Sequence, residues 1–445
     1  MREEVQSWSD MPQAGRQLMG FLAIGLGTAV IAAWIAVSYF AIDVPGSLVW
    51  PGDDGFCEAA TEGLGRHCFG DIALHLSVGT SLTPDDPGLV QYISNLPPGN
   101  RVLLWVFQMI GVIAGMRTAL AIYVTLSSLA LLVPALWAVR GKAWSQKAVV
   151  LLLASVATVP FLAVLDRGNT IAFAVPLLLT FVVAIFRGRD PVAIVAIVLA
   201  AQIKPQFGFL VLSFFVLRRV RSGLLAIGLG VGVFLLSFLV FAIPGAGSGP
   251  VSEFKRFVLY SQTRSSYLPL GADYPVNISY QKVIYEVINE LAGSALTPST
   301  IQILVLMLLA LASVLLIWRG RTLPFALWLS VILMSSALVV SVTFIYYYSL
   351  VLVVAAFLLR EADAGGETTQ HPVLRQLLIA ATVMSLTPLL IPGGRTEAPV
   401  PTTGDGVVVS LVPYLASALW LTLLVAVAIR MLLPMRRITV EEGIL

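Results

Sequence analysis

From Gly223 to Ile243 the chain reads GLLAIGLGVGVFLLSFLVFAI without a charged side chain, and runs of this kind recur along its length. No other feature constrains the fold as strongly, because about 20 consecutive apolar residues in a helix match the hydrocarbon thickness of a bilayer. The runs are continuous rather than alternating, which argues against a transmembrane β-barrel. Composition agrees: 58% of the 445 residues are hydrophobic and 11% charged, with a mean hydropathy of +0.92. One soluble core of that size does not hide so much apolar surface. The pattern predicts an all-α polytopic membrane protein with about 11–13 transmembrane helices. Spans are expected near 20–41, 118–139, 148–165, 170–187, 191–203, 206–217, 222–244, 299–318, 323–343, 345–360, 375–392 and 408–433. The first run is longer than a signal-peptide core and reads as an uncleaved anchor. The short pair around 191–217 meets at Lys204-Pro205, a broken or re-entrant feature. The apolar stretch 102–116 follows a Pro-Pro pair and reads as a helix lying in the interface.

The short loops supply an orientation. Arg140, Lys142 and Lys147, then Arg187 and Arg189, then Arg218, Arg219 and Arg221, then Arg319 and Arg321, Arg360 and Arg375, and finally Arg430, Arg436 and Arg437 fall on one side. By the positive-inside rule that side is cytoplasmic, as is the N-terminus. The expected location is the cell membrane, with three longer segments on the outer, periplasmic face: 42–117, 245–298 and 393–407. The chain reads as one domain, 1–445. It has neither a phosphate-binding Walker loop nor a G-x-G-x-x-G run, which argues against an ATP-driven or nucleotide-sugar mechanism. Nothing points to nucleic acid.

Charge at membrane depth is costly and marks candidate function. Asp166 and Arg167 lie in LDRGNT, at the outer end of a span. Lys204 lies in AAQIKPQFGFL between Gln202 and Gln206, where the proline frees backbone groups that line a cavity or find other partners. A cation in that setting suits an anion such as phosphate; headgroup snorkelling is the competing reading. The segment 245–298 adds Lys255, Arg256, Arg264 and Lys282, suited to lipid headgroups or a substrate phosphate, and Asn277 in a sequon treated as accidental. Tyr346, Tyr347 and Tyr348 open a span in FIYYYSLVL, as an aromatic belt or as a sugar-stacking surface. In the first outer segment WPGDDGFCEAATEGLGRHCFGD holds adjacent Asp53 and Asp54 and both cysteines. Cys57 and Cys68 are expected to form a disulfide, since their loop faces an oxidising compartment; two free thiols are the alternative. Their spacing lacks a four-ligand metal pattern.

The order DDGFCEAA, NLPPGNRVLLW, DRGNT, IKPQFGFLVL, NISYQ and FIYYYSLVL resembles the actinobacterial polyprenyl-phosphate-sugar-dependent glycosyltransferases of family 87. These include phosphatidylinositol mannoside mannosyltransferases and branching α-1,3-arabinofuranosyltransferases. The resemblance covers roughly residues 20 to 430. It implies a GT-C fold, with catalytic and juxtamembrane interfacial helices in 42–117, and places the catalytic base at Asp53 or Asp54. Asn169 stands where members often carry Gln, and the tyrosine triplet where mannosyltransferases often carry a His-aromatic pair. The second departure opens an arabinofuranosyl reading beside the mannosyl one.

The chemistry fits the residues. A carboxylate in an outer loop serves as general base toward an acceptor hydroxyl. Lys204 and Arg167, with Lys255 and Arg256, are candidates for the donor phosphate. Asn169, Gln206, Asn277, Tyr346 and Tyr347 are candidates for substrate contact. The expected donor is a polyprenyl-phosphate sugar, the acceptor a cell-envelope glycan or glycolipid, and the outcome inversion at the anomeric carbon. No cofactor is required. A divalent cation between Asp53 and Asp54 is less favoured, because adjacent side chains diverge on an extended backbone. A lipid-linked glycan transporter or flippase is the rival class, since it too uses a broken helix and buried charge.

Overall fold

The computed structural model describes residues 11–42, 44–49, 69–77, 96–242, 249–266, 277–292, 297–340, 343–360, 371–395 and 408–433. Asp53, Asp54, Cys57 and Cys68 lie outside the described residues. The described chain is helical apart from one two-stranded ribbon, and the protein is an all-α polytopic membrane protein.

Among the described residues, five helices are long and apolar enough to cross a membrane: Gln13–Phe40, Met116–Ala138, Val220–Ala242, Ser299–Thr322 and Val412–Leu432. Trp144–Val156 and Val159–Arg167 together form a sixth, bent by 58°. The expected straight span over 148–165 is therefore broken. A π-helical turn, Leu152–Val156, precedes the bend, and Pro160 in the first turn of the next helix has no N–H to continue the ladder. Seven further apolar helices run 10–17 residues. The expectation of about 11–13 spans thus resolves, among the described residues, into five or six full-length helices and a set of shorter ones.

Burial follows position in the bundle. Every side chain from Ala326 to Leu338 is buried, as is every one from Ser349 to Leu359. Such all-round apolar helices belong at the centre. In Val220–Ser237, by contrast, the buried residues are Gly223 and Ala226, while Leu224, Leu225, Val231 and Leu236 face outward. An apolar exterior of this extent is the surface that lipid tails cover. Arginines of the short loops tie helix ends together. Arg219 meets Asp190 at 2.6 Å, Arg319 donates to the Met431 carbonyl at 2.8 Å, and Arg360 donates to the Trp137 carbonyl.

The segment expected as a span over 375–392 ends its helix at Leu386. Thr387 is extended because it precedes Pro388, which disfavours helix at the residue before it. The chain then forms the strand Pro392–Arg395, paired antiparallel with Val408–Ser410. Val408 N–H donates to Ser47 Oγ at 3.0 Å, which fixes the ribbon to the short helix Val44–Val49. The helix Pro98–Ala114 covers the stretch expected at the interface. Its 17 residues reach about 25 Å, short of the hydrocarbon core. Gly115, at φ 90°, turns it directly into Met116–Ala138, against which it packs.

Candidate active site

Four chain breaks position the polar residues. The first is the turn after Val159–Arg167. Gly168 is left-handed (φ 61°) and its N–H caps the Leu165 carbonyl, while Asn169 N–H caps Val164. Asn169 Oδ1 accepts from Ile171 N–H at 3.0 Å, starting the next helix. Its Nδ2 donates to Asp71 Oδ2 at 2.5 Å. The other oxygen of Asp71 meets Arg167 Nη2 at 3.1 Å. One carboxylate thus bridges the two side chains that flank Gly168. Asp71 lies in the first turn of Gly70–Ser77, a helix seated so closely that a Cβ on Gly168 would come within 2.4 Å of Ile72 Cγ2. Tyr123 donates its hydroxyl to the Gly168 carbonyl at 2.7 Å. Arg167 and Asn169 are both buried.

The second break is at Lys204. The helix Asp190–Ile203 stops there in extended backbone, and a 3-10 helix, Pro205–Val211, follows. Gln206 Nε2 donates to the Tyr347 hydroxyl at 2.8 Å, and Lys204 Nζ lies 5.7 Å from the centre of the Tyr347 ring, within cation–π range. Tyr346 and Tyr347 pack ring to ring at 5.0 Å. Their turn, Ile345–Tyr348, packs against Val159–Arg167. The DRGN turn, the tyrosine turn and the Lys204 break therefore form one contiguous region.

The third break is the start of Pro98–Ala114. Gly99 lies against Gln202, where a Cβ would approach the Gln202 Cβ to 2.6 Å. The PPGN turn thus packs beside the Lys204 break. The next residue, Arg101, pairs with the buried Glu253 at 2.8 Å. Glu253 belongs to Pro250–Ser266, the helix that also carries Arg256, 3.1 Å from Glu253, and the exposed Lys255. Asn277 governs the fourth break. Its Oδ1 accepts from Thr343 N–H at 3.0 Å and Ser279 N–H at 3.1 Å, so its buried carboxamide joins 277–279 to the segment leading into the tyrosine turn.

Of the residues singled out in the sequence, Arg167 and Asn169 therefore meet through Asp71, and Lys204, Gln206 and Tyr347 meet one another with Tyr346 alongside. Lys255 and Arg256 share the helix Pro250–Ser266, which Glu253 ties to Arg101. Asp71 was missed. Nothing in the sequence linked a lone aspartate to a side chain 96 positions away.

An all-α membrane bundle that gathers a carboxylate, cations, amides and tyrosines at its helix breaks has the make-up of a membrane-embedded enzyme. Residues 96–342, more than half of the chain, match Glycosyltransferase family 87. The chain belongs to this family and is a membrane glycosyltransferase. The matched segment takes in the PPGN helix start, the DRGN turn, the Lys204 break and the helix Pro250–Ser266 with Glu253. No curated protein and no solved structure matches the chain.

Proposed function

We propose that the enzyme transfers an arabinofuranosyl or mannosyl unit from a polyprenyl-phosphate donor to a cell-envelope glycan or glycolipid, at the outer face of the cell membrane, with inversion. The observation that carries this reading is the contiguity of Lys204, Tyr347 and Gln206 with the helix that ends in Arg167. Cations at helix breaks in an apolar bundle suit the phosphate of a lipid whose tail stays in the bilayer. The tyrosine faces and the amides of Asn169 and Gln206 suit a sugar ring and its hydroxyls. Lys255 and Arg256 add positive charge from the outer helix, and Asn277 shapes the tyrosine turn.

Asp53 or Asp54 takes the proton of the acceptor hydroxyl as its oxygen attacks the anomeric carbon. The bond from that carbon to the phosphate oxygen breaks, and the leaving phosphate keeps the electron pair, neutralised by Lys204 and Arg167. The short helix Val44–Val49 and the helix Gly70–Ser77 both pack against Val159–Arg167. The chain between them, which carries both aspartates and the expected Cys57–Cys68 disulfide, is thus tethered at each end to the helix of Arg167.

The test is transfer by purified protein from decaprenyl-phosphoarabinose and polyprenyl-phosphomannose, side by side, with Asp53→Asn and Asp54→Asn variants. One donor should be used, and one variant should lose transfer. Full transfer by both variants would remove the base assignment, and no transfer from either donor would remove the polyprenyl-phosphate reading.

A further inference from the structure

We propose that Asp71 is a positioning residue of the transferase. It fixes the Arg167 guanidinium and the Asn169 carboxamide in their working orientation. The inference rests on the reading of Arg167 as a donor-phosphate contact.

The geometry argues for positioning rather than proton transfer. Both Asp71 oxygens are engaged, one by Arg167 Nη2 at 3.1 Å and one by Asn169 Nδ2 at 2.5 Å. A carboxylate held on two sides by donors is poorly placed to receive a hydroxyl proton. It is well placed to hold a planar guanidinium, whose five donors form a rigid fork: one engaged edge fixes where the others point. The bridge spans two residues separated by Gly168. That glycine adopts the left-handed conformation and leaves the space in which Ile72, the neighbour of Asp71, is seated. Tyr123 anchors the same turn from Met116–Ala138, and Asn169 Oδ1 anchors it to the following helix. The Asn169 carboxamide is therefore held at both ends, by Ile171 N–H at its oxygen and by Asp71 at its nitrogen. The helix Gly70–Ser77 carries Asp71 in its first turn, so the carboxylate is presented to Arg167 by a rigid element.

The experiment compares wild type, Asp71→Asn, Asp71→Glu and Arg167→Ala, purified in nanodiscs. Steady-state transfer is measured with decaprenyl-phosphoarabinose and polyprenyl-phosphomannose. Decaprenyl phosphate binding gives both an affinity and the fraction of binding-competent protein. Asp71→Asn removes the charge while keeping the shape. It is expected to lower kcat per competent site roughly 10- to 100-fold, the scale set by misplacement of a reacting group, with donor KM and decaprenyl phosphate affinity near wild type. Asp71→Glu should recover part of that kcat. Arg167→Ala should weaken decaprenyl phosphate binding. A purely structural Asp71 would instead lower the competent fraction and leave kcat per site intact, which overturns the inference. So does wild-type kcat in Asp71→Asn alongside weakened phosphate binding in Arg167→Ala. Unchanged phosphate binding in Arg167→Ala removes the phosphate reading of that residue and the inference with it. If Asp71→Asn fails to accumulate, Asp71→Glu carries the same comparison, and unchanged kcat per site there counts against the inference.

Discussion

The guanidinium of Arg101 and the carboxylate of Glu253 meet at 2.8 Å, both essentially without solvent contact and 152 positions apart in the chain. Arg101 also donates through Nε to the Leu96 carbonyl at 3.2 Å and lies 5.0 Å over the Phe241 ring. The pair fastens the helix Pro250–Ser266 to Pro98–Ala114, whose start packs beside the Lys204 break.

Removing one partner of a buried ion pair strands the other charge and costs about 3–5 kcal/mol. Glu253→Gln is expected to lower the midpoint of unfolding in detergent accordingly. Arg101→Met with Glu253→Leu should recover most of the loss, because neither charge is then left unpaired. Arg256→Ala, which removes the partly exposed second partner of Glu253, should cost below about 1 kcal/mol. A single variant at Glu253 as stable as wild type would count against the pair as the fastening.

Gly168 gives a second prediction. A Cβ there meets Ile72 Cγ2 at 2.4 Å, on a backbone at φ 61°. Left-handed backbone costs an L-residue about 1–2 kcal/mol, and the clash adds about 1–3 kcal/mol. Gly168→Ala should destabilise the protein and shift Gly70–Ser77, read as faster amide exchange in that helix. Gly228, in mid-helix with nothing within 4 Å of an added Cβ, is the control: its substitution by Ala should raise stability by up to about 1 kcal/mol and leave amide exchange in Gly70–Ser77 unchanged.

Asn277 separates a capping role from direct contact. Its Oδ1 caps two backbone N–H groups, and leaving buried donors unsatisfied costs about 1–3 kcal/mol each. Asn277→Ala should lower stability by about 2–4 kcal/mol. Asn277→Asp keeps the acceptor and should recover part of it. A variant of unchanged stability with raised donor KM would instead place Asn277 at the substrate.

These residues mark where the sequence was legible. The long apolar runs announced the bundle, because a spanning helix must be apolar over its whole length. Pro205 announced the break at Lys204, because proline cannot continue the hydrogen-bond ladder. The bend after Val156 went unread although Pro160 lies beside it, because LLLASVATVPFL carries no charge and a π-helical turn has no sequence signature of its own. So did the ribbon of Pro392–Arg395 with Val408–Ser410, whose Pro-Gly-Gly start reads as loop. Asp71 escaped for a different reason. Its partners lie 96 and 98 positions away, and its own neighbours carry no motif that local spacing makes visible.

The adjacent hydroxyls of Tyr347 and Tyr348 separate binding from stability. Tyr347 OH accepts from Gln206 at 2.8 Å and its ring lies beside Lys204. Tyr348 OH instead reaches away from that break, 2.5 Å from the Pro413 carbonyl and 2.6 Å from Ser417 Oγ, which itself donates to the Ile278 carbonyl. Tyr347→Phe releases Gln206, which should cost at most about 0.5–1.5 kcal/mol of stability, while donor kcat/KM should fall roughly 2- to 10-fold. Lys204→Met, which removes a charged contact worth about 1.5–3 kcal/mol, should cost about 10- to 100-fold in the same ratio. Because Lys204 Nζ lies 5.7 Å from the centre of the Tyr347 ring, the double variant should lose less than the sum of the two single losses in free energy. Tyr348→Phe should show the reverse profile, a stability loss of about 1–3 kcal/mol with donor kcat/KM per folded molecule preserved. Equal effects of the two tyrosine variants on kcat/KM would mean that the turn acts as one structural unit and that Tyr347 has no separate part in holding the donor.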